Sequence, residues 1–114
     1  MICEKPDAAR RIAEALKDGD LSTVEPEGVP VFLVVNRGRT YIVCSAAGHL
    51  YTVSDTTGRR DAYPVFDVEW VPVHLVEKRR ADVAKRLGVI RRLSQNASSY
   101  INGCDFDLEG ETIG

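Results

Sequence analysis

Apolar residues recur at helical spacing in two segments of this chain. The first runs from Ala8 to Lys17, after the short apolar run Met1 to Cys3, and the second runs from Arg79 to Ser94. The apolar positions on one helical face are Ile12, Ala13 and Leu16 in the first segment and Val83, Leu87, Ile90 and Leu93 in the second. This spacing predicts two amphipathic helices, each with one face against a core.

Runs rich in β-branched and aromatic residues predict strands in the rest of the chain. Val29 to Val35 and Thr40 to Ser45 are the strongest of these, and the Asn36-Arg37-Gly38-Arg39 sequence between them is typical of a hairpin turn. The second run would also suit a buried parallel strand. Weaker strand patterns are Leu50 to Val53 and Trp70 to Leu75, and a last strand is expected over about Ser99 to Cys104. Strands that alternate with helices in this way indicate an α/β fold.

Three acidic residues follow the last of these strand patterns at a spacing of two. They are Asp105, Asp107 and Glu109. Side chains alternate between the two faces of an extended backbone, so we expect these three carboxylates to lie on one side and to converge. Carboxylates that are close together repel each other unless a cation joins them, and oxygen ligands of this kind suit Mg²⁺. The pattern therefore predicts a magnesium and phosphate site.

The first residues of the chain supply a second group for this site. Glu4 and Lys5 lie between the short run Met1 to Cys3 and the first predicted helix, at a turn from strand to helix where parallel α/β sheets place their chemistry. If the first strand and the strand near Ile101 are neighbours, Glu4 and Lys5 face the acidic cluster at one edge of the sheet. A carboxyl group, an amine and a metal would then surround one phosphate.

Four motifs in this order resemble the Toprim domain of type IA DNA topoisomerases, most closely the archaeal branch. The motifs are Glu4-Lys5-Pro6, Ala46-Ala47-Gly48-His49-Leu50, the stretch from Tyr63-Pro64 to Glu69-Trp70-x-Pro72, and Asp105-x-Asp107-x-Glu109-Gly110-Glu111. The resemblance covers essentially the whole chain. Many bacterial members of the family carry Arg at the position of Leu108, so a phosphate contact from that position is not carried over.

The resemblance implies a Rossmann-like, mostly parallel sheet that is flanked by helices and contains an inserted β-rich segment. Residues 1–114 would form one Toprim domain, in which Gly110 to Gly114 begins a helix. Further topoisomerase domains are expected downstream in the parent protein, and one of them would carry the tyrosine nucleophile. We accordingly expect the isolated fragment to be inactive.

The resemblance also implies roles for individual residues in the intact enzyme, which would cut and reseal one strand of supercoiled or single-stranded DNA. Glu4 would transfer a proton at the 3′-oxygen and Lys5 would stabilise charge on the scissile phosphate. The Mg²⁺ ligands would be Asp105 and Asp107, with Glu109 and Glu4 as further candidates. The expected DNA contacts are Lys5, His49, Arg37 and Arg39.

Two alternatives come from other functional classes. Haloacid dehalogenase phosphatases also place Asp-x-Asp after a hydrophobic strand, with the first Asp, here Asp105, as the nucleophile. Their pattern prefers Thr or Val at the position of Glu109, and it needs a later lysine and a later acidic motif. The other alternative is a Toprim-like module that binds metal or partners without catalysis.

Composition is consistent with a single domain. The chain has 114 residues, of which 44% are hydrophobic and 28% are charged, so it can form one core. A net charge of -2 does not indicate a nucleic-acid binder by itself, and Arg37 and Arg39 would be solvated turn charges if they do not contact DNA. No segment has the pattern of a membrane span or a signal peptide, and we expect a cytoplasmic protein.

Three cysteines, Cys3, Cys44 and Cys104, lie in apolar runs and have no C-x-x-C spacing. An odd number of cysteines in such runs predicts buried, reduced thiols, and it argues against a disulfide framework or a zinc site.

Overall fold

The computed structural model describes residues 1–56, 64, 66–77 and 80–114. In chain order the strands are β1 (Ile2–Cys3), β2 (Leu21–Val24), β3 (Val31–Asn36), β4 (Arg39–Ser45), β5 (Tyr51–Asp55) and β6 (Val68–Pro72). The helices are α1 (Pro6–Leu16), α2 (Val73–Val76), α3 (Ala81–Ser94) and α4 (Leu108–Ile113). A short 3-10 turn, Pro26–Gly28, precedes β3.

Four strands form the main sheet in the order β1-β4-β3-β2. β1 pairs with β4 in parallel, while β3 is antiparallel to both β2 and β4. On the other side of β1, Ile2 forms a parallel bridge with Asn102. The α/β class is confirmed, but the expectation of a mostly parallel sheet is wrong for the described residues. Their sheet is mixed because a short turn can join β3 to β4 only as antiparallel neighbours.

The turn between β3 and β4 confirms the predicted hairpin, and β4 also pairs in parallel with β1 on its other side. Asn36 pairs with Arg39, and the two residues between them, Arg37 and Gly38, have φ values of 48° and 72°. Positive φ at both central positions is the geometry of a two-residue turn whose twist matches that of the strands. The turn is tied to the end of α1, because the Arg37 backbone N–H donates to Asp18 Oδ2 at 2.6 Å.

Alternate side chains of the central strands face two different helical layers. One face packs on α1, and the buried residues of the sheet and the helix in this layer are Cys3, Ala9, Ala13, Phe32, Val34 and Val43. The other face packs on α3, and the buried residues of this second layer are Val29, Val31, Cys44 and Val89. Burial on both faces explains why β3 and β4 read as nearly continuous apolar runs rather than as alternating ones.

The local sequence explains where α1 begins and which face it buries. Pro6 occupies the first helical position, where a missing N–H costs nothing, and Asp7 follows in the first turn, where a carboxylate interacts favourably with the helix dipole. Ala9 and Ala13 are the buried residues, and their small side chains let the helix approach the sheet closely. Lys5 is thereby held as the N-cap residue directly beside Glu4.

Several expected elements differ from the structure. β2 was not expected, because three of its four residues are exposed and it lacks an apolar run. The strand expected over Trp70 to Leu75 ends at Pro72, which lacks a backbone N–H for a ladder, and α2 follows. β5 and β6 form a separate antiparallel pair, the β-rich insertion. Tyr63 of the third motif lies outside the described residues.

The strand expected over Ser99 to Cys104 is reduced to the single bridge at Asn102. Two backbone hydrogen bonds hold this segment beside β1: Ile2 N donates to Ile101 O at 3.0 Å, and Gly103 N donates to Ile2 O at 2.8 Å. The proposed neighbourhood of the first strand and the segment near Ile101 is therefore present.

Candidate functional site

Three parallel segments end at the same edge of the sheet. β1 leads into Glu4, β4 leads into Ala46, and the segment at Asn102 leads into Asp105. Backbone hydrogen bonds continue past β1, because Ala46 N donates to Cys3 O at 2.8 Å and Ala47 N donates to Glu4 O at 2.9 Å. Parallel strands present their carboxyl ends at one edge, which is where open α/β sheets bind ligands.

At this edge the structure brings together the carboxylates of Glu4, Asp105 and Asp107. Each contributes one oxygen, and the three oxygens lie within 4.8 Å of one another. Glu4 is buried, with 7% of its surface exposed, whereas both aspartates are exposed. The Oε2 atom of Glu4 is buried and has no hydrogen-bond partner among the described residues. A buried carboxylate oxygen with no partner is costly, so this atom is suited to a bound cation.

The Lys5 ammonium group contacts two of these three acids. Its Nζ lies 3.1 Å from Glu4 Oε1 and 3.0 Å from Asp105 Oδ2. The hydrogen bonds to Asp105 and Glu4 raise the pKa of Lys5 above its ordinary value, and the bond to Asp105 has the larger effect. Lys5 therefore stays protonated at any pH near neutrality and partly neutralises the cluster.

Asp107 has a second function as the N-cap of α4. Its Oδ1 accepts a hydrogen bond from Gly110 N at 2.7 Å, and its own N–H donates to Asp105 O at 2.9 Å. The chain therefore turns directly after Asp105 and does not continue as a strand. The expectation that Asp105, Asp107 and Glu109 lie along one side of an extended backbone is wrong, because N-capping by Asp107 places Glu109 in the first turn of a helix.

Gly110 lies against the backbone that carries Asp105. A Cβ at position 110 would overlap the carbonyl oxygen of Asp105. Gly110 is also the buried residue of α4. A residue without a side chain is thus required where the helix passes the acidic turn.

Glu109 points to His49 rather than to the three converging carboxylates. His49 Nε2 lies 3.5 Å from Glu109 Oε1. The loop that carries His49 contains two successive residues with positive φ, Ala47 at 54° and Gly48 at 105°, which turn the chain after β4. His49 therefore contacts the first turn of α4, the helix that follows the acidic turn, and Glu109 is outside the group of three converging carboxylates.

Arg37 and Arg39 lie at the opposite end of β4 from the acids. Ser45, the last residue of β4, pairs with Cys3, and Arg39 is the first residue of that strand. Six residue steps along a strand place Arg39 roughly 20 Å from this edge. The structure thus brings Lys5 into the acidic cluster, places His49 against Glu109 at the start of α4, and leaves the two arginines apart from the cluster.

Arg86 is a contact at this edge that the sequence did not indicate. Its guanidinium Nη1, on α3, donates to Ser45 O at 3.1 Å and to Ser45 Oγ at 3.3 Å. It thereby holds the carboxyl end of β4 against α3. An arginine within an amphipathic helix carries no local signal of such a contact, because the strand it reaches is 41 residues away.

The three cysteines are free, as expected. Cys3 and Cys44 are buried, while Cys104 is only partly buried, which corrects the expectation for that residue. Burial is the main cause that raises the pKa of the Cys3 thiol to about 11, and it also raises the pKa of Cys44 and Cys104. All three are therefore neutral thiols near pH 7.

In the part of the chain that the structure describes, no helix combines the length and the apolar character needed to cross a membrane.

Comparison with known proteins identifies relatives of the whole chain. DNA topoisomerase 1 of Pyrococcus horikoshii is 39% identical over 116 residues, DNA topoisomerase 1 of Pyrococcus furiosus is 40% identical over 116 residues, and DNA topoisomerase 1 of Methanocaldococcus jannaschii is 38% identical over 115 residues. Each alignment covers 100% of this chain but only 16%, 11% and 15%, respectively, of these relatives. The family model described as the Toprim domain matches residues 1–114. With that match and the acidic edge described above, the chain belongs to the Toprim domain family.

Proposed function

We propose that this chain is the metal-binding Toprim part of a type IA DNA topoisomerase, which cuts and reseals one DNA strand. The observation that carries the proposal is the convergence of Glu4, Asp105 and Asp107 at the carboxyl edge of the sheet. The relatives named DNA topoisomerase 1 support DNA as the substrate. The chain spans less than a fifth of their length, so the rest of the activity would come from other domains of the parent protein.

The donor atoms at this edge fit a divalent cation such as Mg²⁺. Toprim domains bind metal ions, and carboxylate oxygens are the hard ligands that Mg²⁺ prefers, with water and phosphate oxygens completing its shell. Glu4 Oε2 fits especially well, because it is buried and has no partner among the described residues. When bound, the ion would position and polarise the phosphate and the 3′-hydroxyl. Asp105 and Asp107 would be its main ligands, Glu4 would be the third, and Glu109, paired with His49, would be a secondary one.

Glu4 is proposed to transfer the proton at the 3′-oxygen of the cleaved strand. A carboxyl group can do so if it lies within hydrogen-bond reach of the reacting oxygen. The backbone hydrogen bonds of β1 and of Ala47 hold Glu4 at a fixed position at the edge of the sheet, which supports this role. Its burial keeps bulk water away from one side of the carboxyl group.

Lys5 is proposed to stabilise negative charge on the scissile phosphate. Its side chain is 62% exposed, so the ammonium group can reach a bound ligand. His49, half-exposed at the same edge, is proposed as a DNA contact. Arg37 and Arg39 would contact DNA only at a point remote from the cluster.

The tyrosine nucleophile is proposed to come from another domain. Tyr51 accepts a hydrogen bond from Arg91 at 3.0 Å, and the Tyr100 hydroxyl donates to Ser94 O at 3.0 Å. Tyr41 is packed against the core beside α1. The hydroxyl groups of Tyr51 and Tyr100 are hydrogen-bonded within the fold and Tyr41 packs against the core, so none of these three described tyrosines is a free nucleophile candidate, which supports a nucleophile from another domain.

A domain replacement tests the proposal. This chain would replace the matching segment of DNA topoisomerase 1 from Pyrococcus furiosus. We expect the chimera to relax negatively supercoiled plasmid in the presence of Mg²⁺, and we expect the 114-residue chain alone not to do so. Chimeras with Asp105→Asn or Asp107→Asn should need more Mg²⁺ for relaxation, because one ligand is weakened.

Glu4→Gln in the same chimera distinguishes proton transfer from metal binding. An amide cannot carry the proton, so we expect cleavage of a single-stranded oligonucleotide to be lost and not to be rescued by Mg²⁺. Rescue equal to that of Asp107→Asn would make Glu4 a ligand only. A chimera that is folded by circular dichroism and inactive at all Mg²⁺ concentrations would favour a Toprim module without catalysis.

A further inference from the structure

Lys5 occupies the position of a counter-cation within the acidic cluster. One ammonium group contacts the carboxylates of Glu4 and Asp105, which are 101 residues apart in the chain, at 3.1 Å and 3.0 Å. Glu4 Oε2 is left without a partner among the described residues, and Asp107 is used for capping α4. The lysine therefore neutralises part of the charge that would otherwise push these two acids apart.

We propose that Lys5 is an internal cation that closes the metal site in the metal-free state and is displaced when a divalent cation binds. Displacement would release the ammonium group toward solvent, where it can meet a phosphate. The inference rests on the proposed metal-binding function of Glu4, Asp105 and Asp107. It adds that the same lysine competes with the metal and so couples metal binding to the binding of the phosphate.

Distance is the first argument for displacement. An ion that contacts all three acids at about 2.1 Å would share the Glu4 and Asp105 carboxylates with the ammonium group. Two cations on the same pair of carboxylates would lie within about 5 Å of each other, where their repulsion is substantial in a partly buried site. The divalent ion has the larger charge and the third ligand, Asp107, so the lysine is the group that leaves.

The mobility of the side chain is the second argument. The Lys5 backbone is fixed as the N-cap of α1, and its carbonyl oxygen accepts a hydrogen bond from Ala9 N at 3.1 Å. Its side chain, by contrast, is 62% exposed and has four rotatable bonds. The ammonium group can thus leave the carboxylates by rotamer changes alone, without any movement of the helix.

A different arrangement makes the opposite prediction. Lys5 could remain between Glu4 and Asp105 and hold the two acids together, while the ion uses Glu4 Oε2 and the second oxygen of Asp105. Removal of the ammonium group would then let the two acids separate and would weaken the metal site. The sign of the change in Mg²⁺ affinity when the ammonium group is removed therefore decides whether Lys5 competes with the ion or holds the two acids together.

The experiment measures Mg²⁺ binding to the 114-residue chain by NMR titration, followed at the backbone amides of Asp105 and Asp107. Lys5→Gln should bind Mg²⁺ about two- to fivefold more tightly than the wild-type chain, which is the scale of losing one partly exposed ion pair. Lys5→Arg keeps the charge and should retain the wild-type affinity within about twofold. Lys85→Gln, an exposed lysine on α3, is the control for net charge and should also stay within about twofold.

A second readout follows the Lys5 ammonium group directly and needs no variant. In the wild-type chain, its ¹⁵N-detected signal should move to the position of a free lysine as Mg²⁺ saturates the site. An ammonium signal that stays in its metal-free position at saturation, or a weaker affinity of Lys5→Gln, would overturn the inference. Absence of any Mg²⁺ effect at Asp105 and Asp107 in the wild-type chain would instead overturn the proposed metal site itself.

Discussion

Gly110 and Asp105 are in backbone contact across the turn that starts α4. The carbonyl oxygen of Asp105 occupies the space where a side chain at position 110 would begin. The Gly110 N–H meanwhile donates to Asp107 Oδ1 at 2.7 Å. The absence of a side chain at position 110 therefore lets α4 pass close to the acidic turn. The backbone N–H of the same residue holds the carboxylate of Asp107 in place.

Gly110→Ala should displace Asp105 from Glu4 and Lys5, because the new methyl group has no room beside the Asp105 carbonyl. We expect Mg²⁺ affinity to fall at least about tenfold and stability to fall by about 1–3 kcal/mol, the usual cost of overpacking. The control is Gly88→Ala in α3, where a Cβ meets nothing within 4 Å. This change should stabilise the chain by about 0.5–1 kcal/mol, since alanine is the better helix former. Urea unfolding and Mg²⁺ titration measure both effects, and equal metal affinity in the two variants would contradict the prediction.

Two substitutions at Asp107 separate its two functions. Asp107→Asn keeps an N-cap of nearly equal quality but loses the charge, so stability should be almost unchanged while Mg²⁺ binding weakens. Asp107→Ala loses both the cap and the ligand, and it should cost about 0.5–2 kcal/mol in the free energy of unfolding. Urea unfolding of both variants without metal gives the capping contribution. If Asp107→Asn destabilised the chain as much as Asp107→Ala, the charge rather than the hydrogen bond to Gly110 would be the stabilising feature.

Glu109 should matter less for metal binding than the even spacing of the acids suggests. Its carboxylate lies 3.5 Å from His49 and is outside the group of three converging acids. We expect Glu109→Gln to change the Mg²⁺ affinity of the isolated chain by less than about threefold, whereas Asp105→Asn should lower it by about tenfold or more. Isothermal titration calorimetry at constant ionic strength compares the two. A larger loss for Glu109→Gln would mean that α4 reorients when the ion binds.

The buried Cys3 thiol should make stability depend on pH in the alkaline range. Burial raises its pKa from 9.0 to about 11 in the folded chain. The unfolded chain releases this proton first, so the stabilising contribution is complete below about pH 9 and is lost as the pH rises toward 11. We expect the free energy of unfolding to decrease over this range, and the decrease should be smaller in Cys3→Ala. Urea unfolding at pH 8, 9 and 10 tests this, and parallel profiles for the two chains would contradict it.

Local patterns were sufficient for much of the fold. The helical spacing of Ala8 to Lys17 and Arg79 to Ser94 identified α1 and α3, because each helix has one face against the sheet. The Asn36 to Arg39 sequence identified the β3–β4 hairpin, because its turn needs residues that tolerate positive φ. β2 could not be identified in this way, since an exposed edge strand has no apolar pattern to reveal it.

The sequence alone also determined which chemistry the chain carries: an early Glu-Lys pair, a late group of acids, and the motifs that resemble Toprim domains. Only the tertiary structure decided which acids form the cluster. Asp107 ends the extended segment by capping α4, so Glu109 turns toward His49, and the third carboxylate comes from Glu4. Glu4 and Asp105 meet because the segment at Asn102 pairs with β1, a contact between residues 100 positions apart. Such long-range pairing depends on the packing of the whole sheet, and no local spacing in the sequence encodes it.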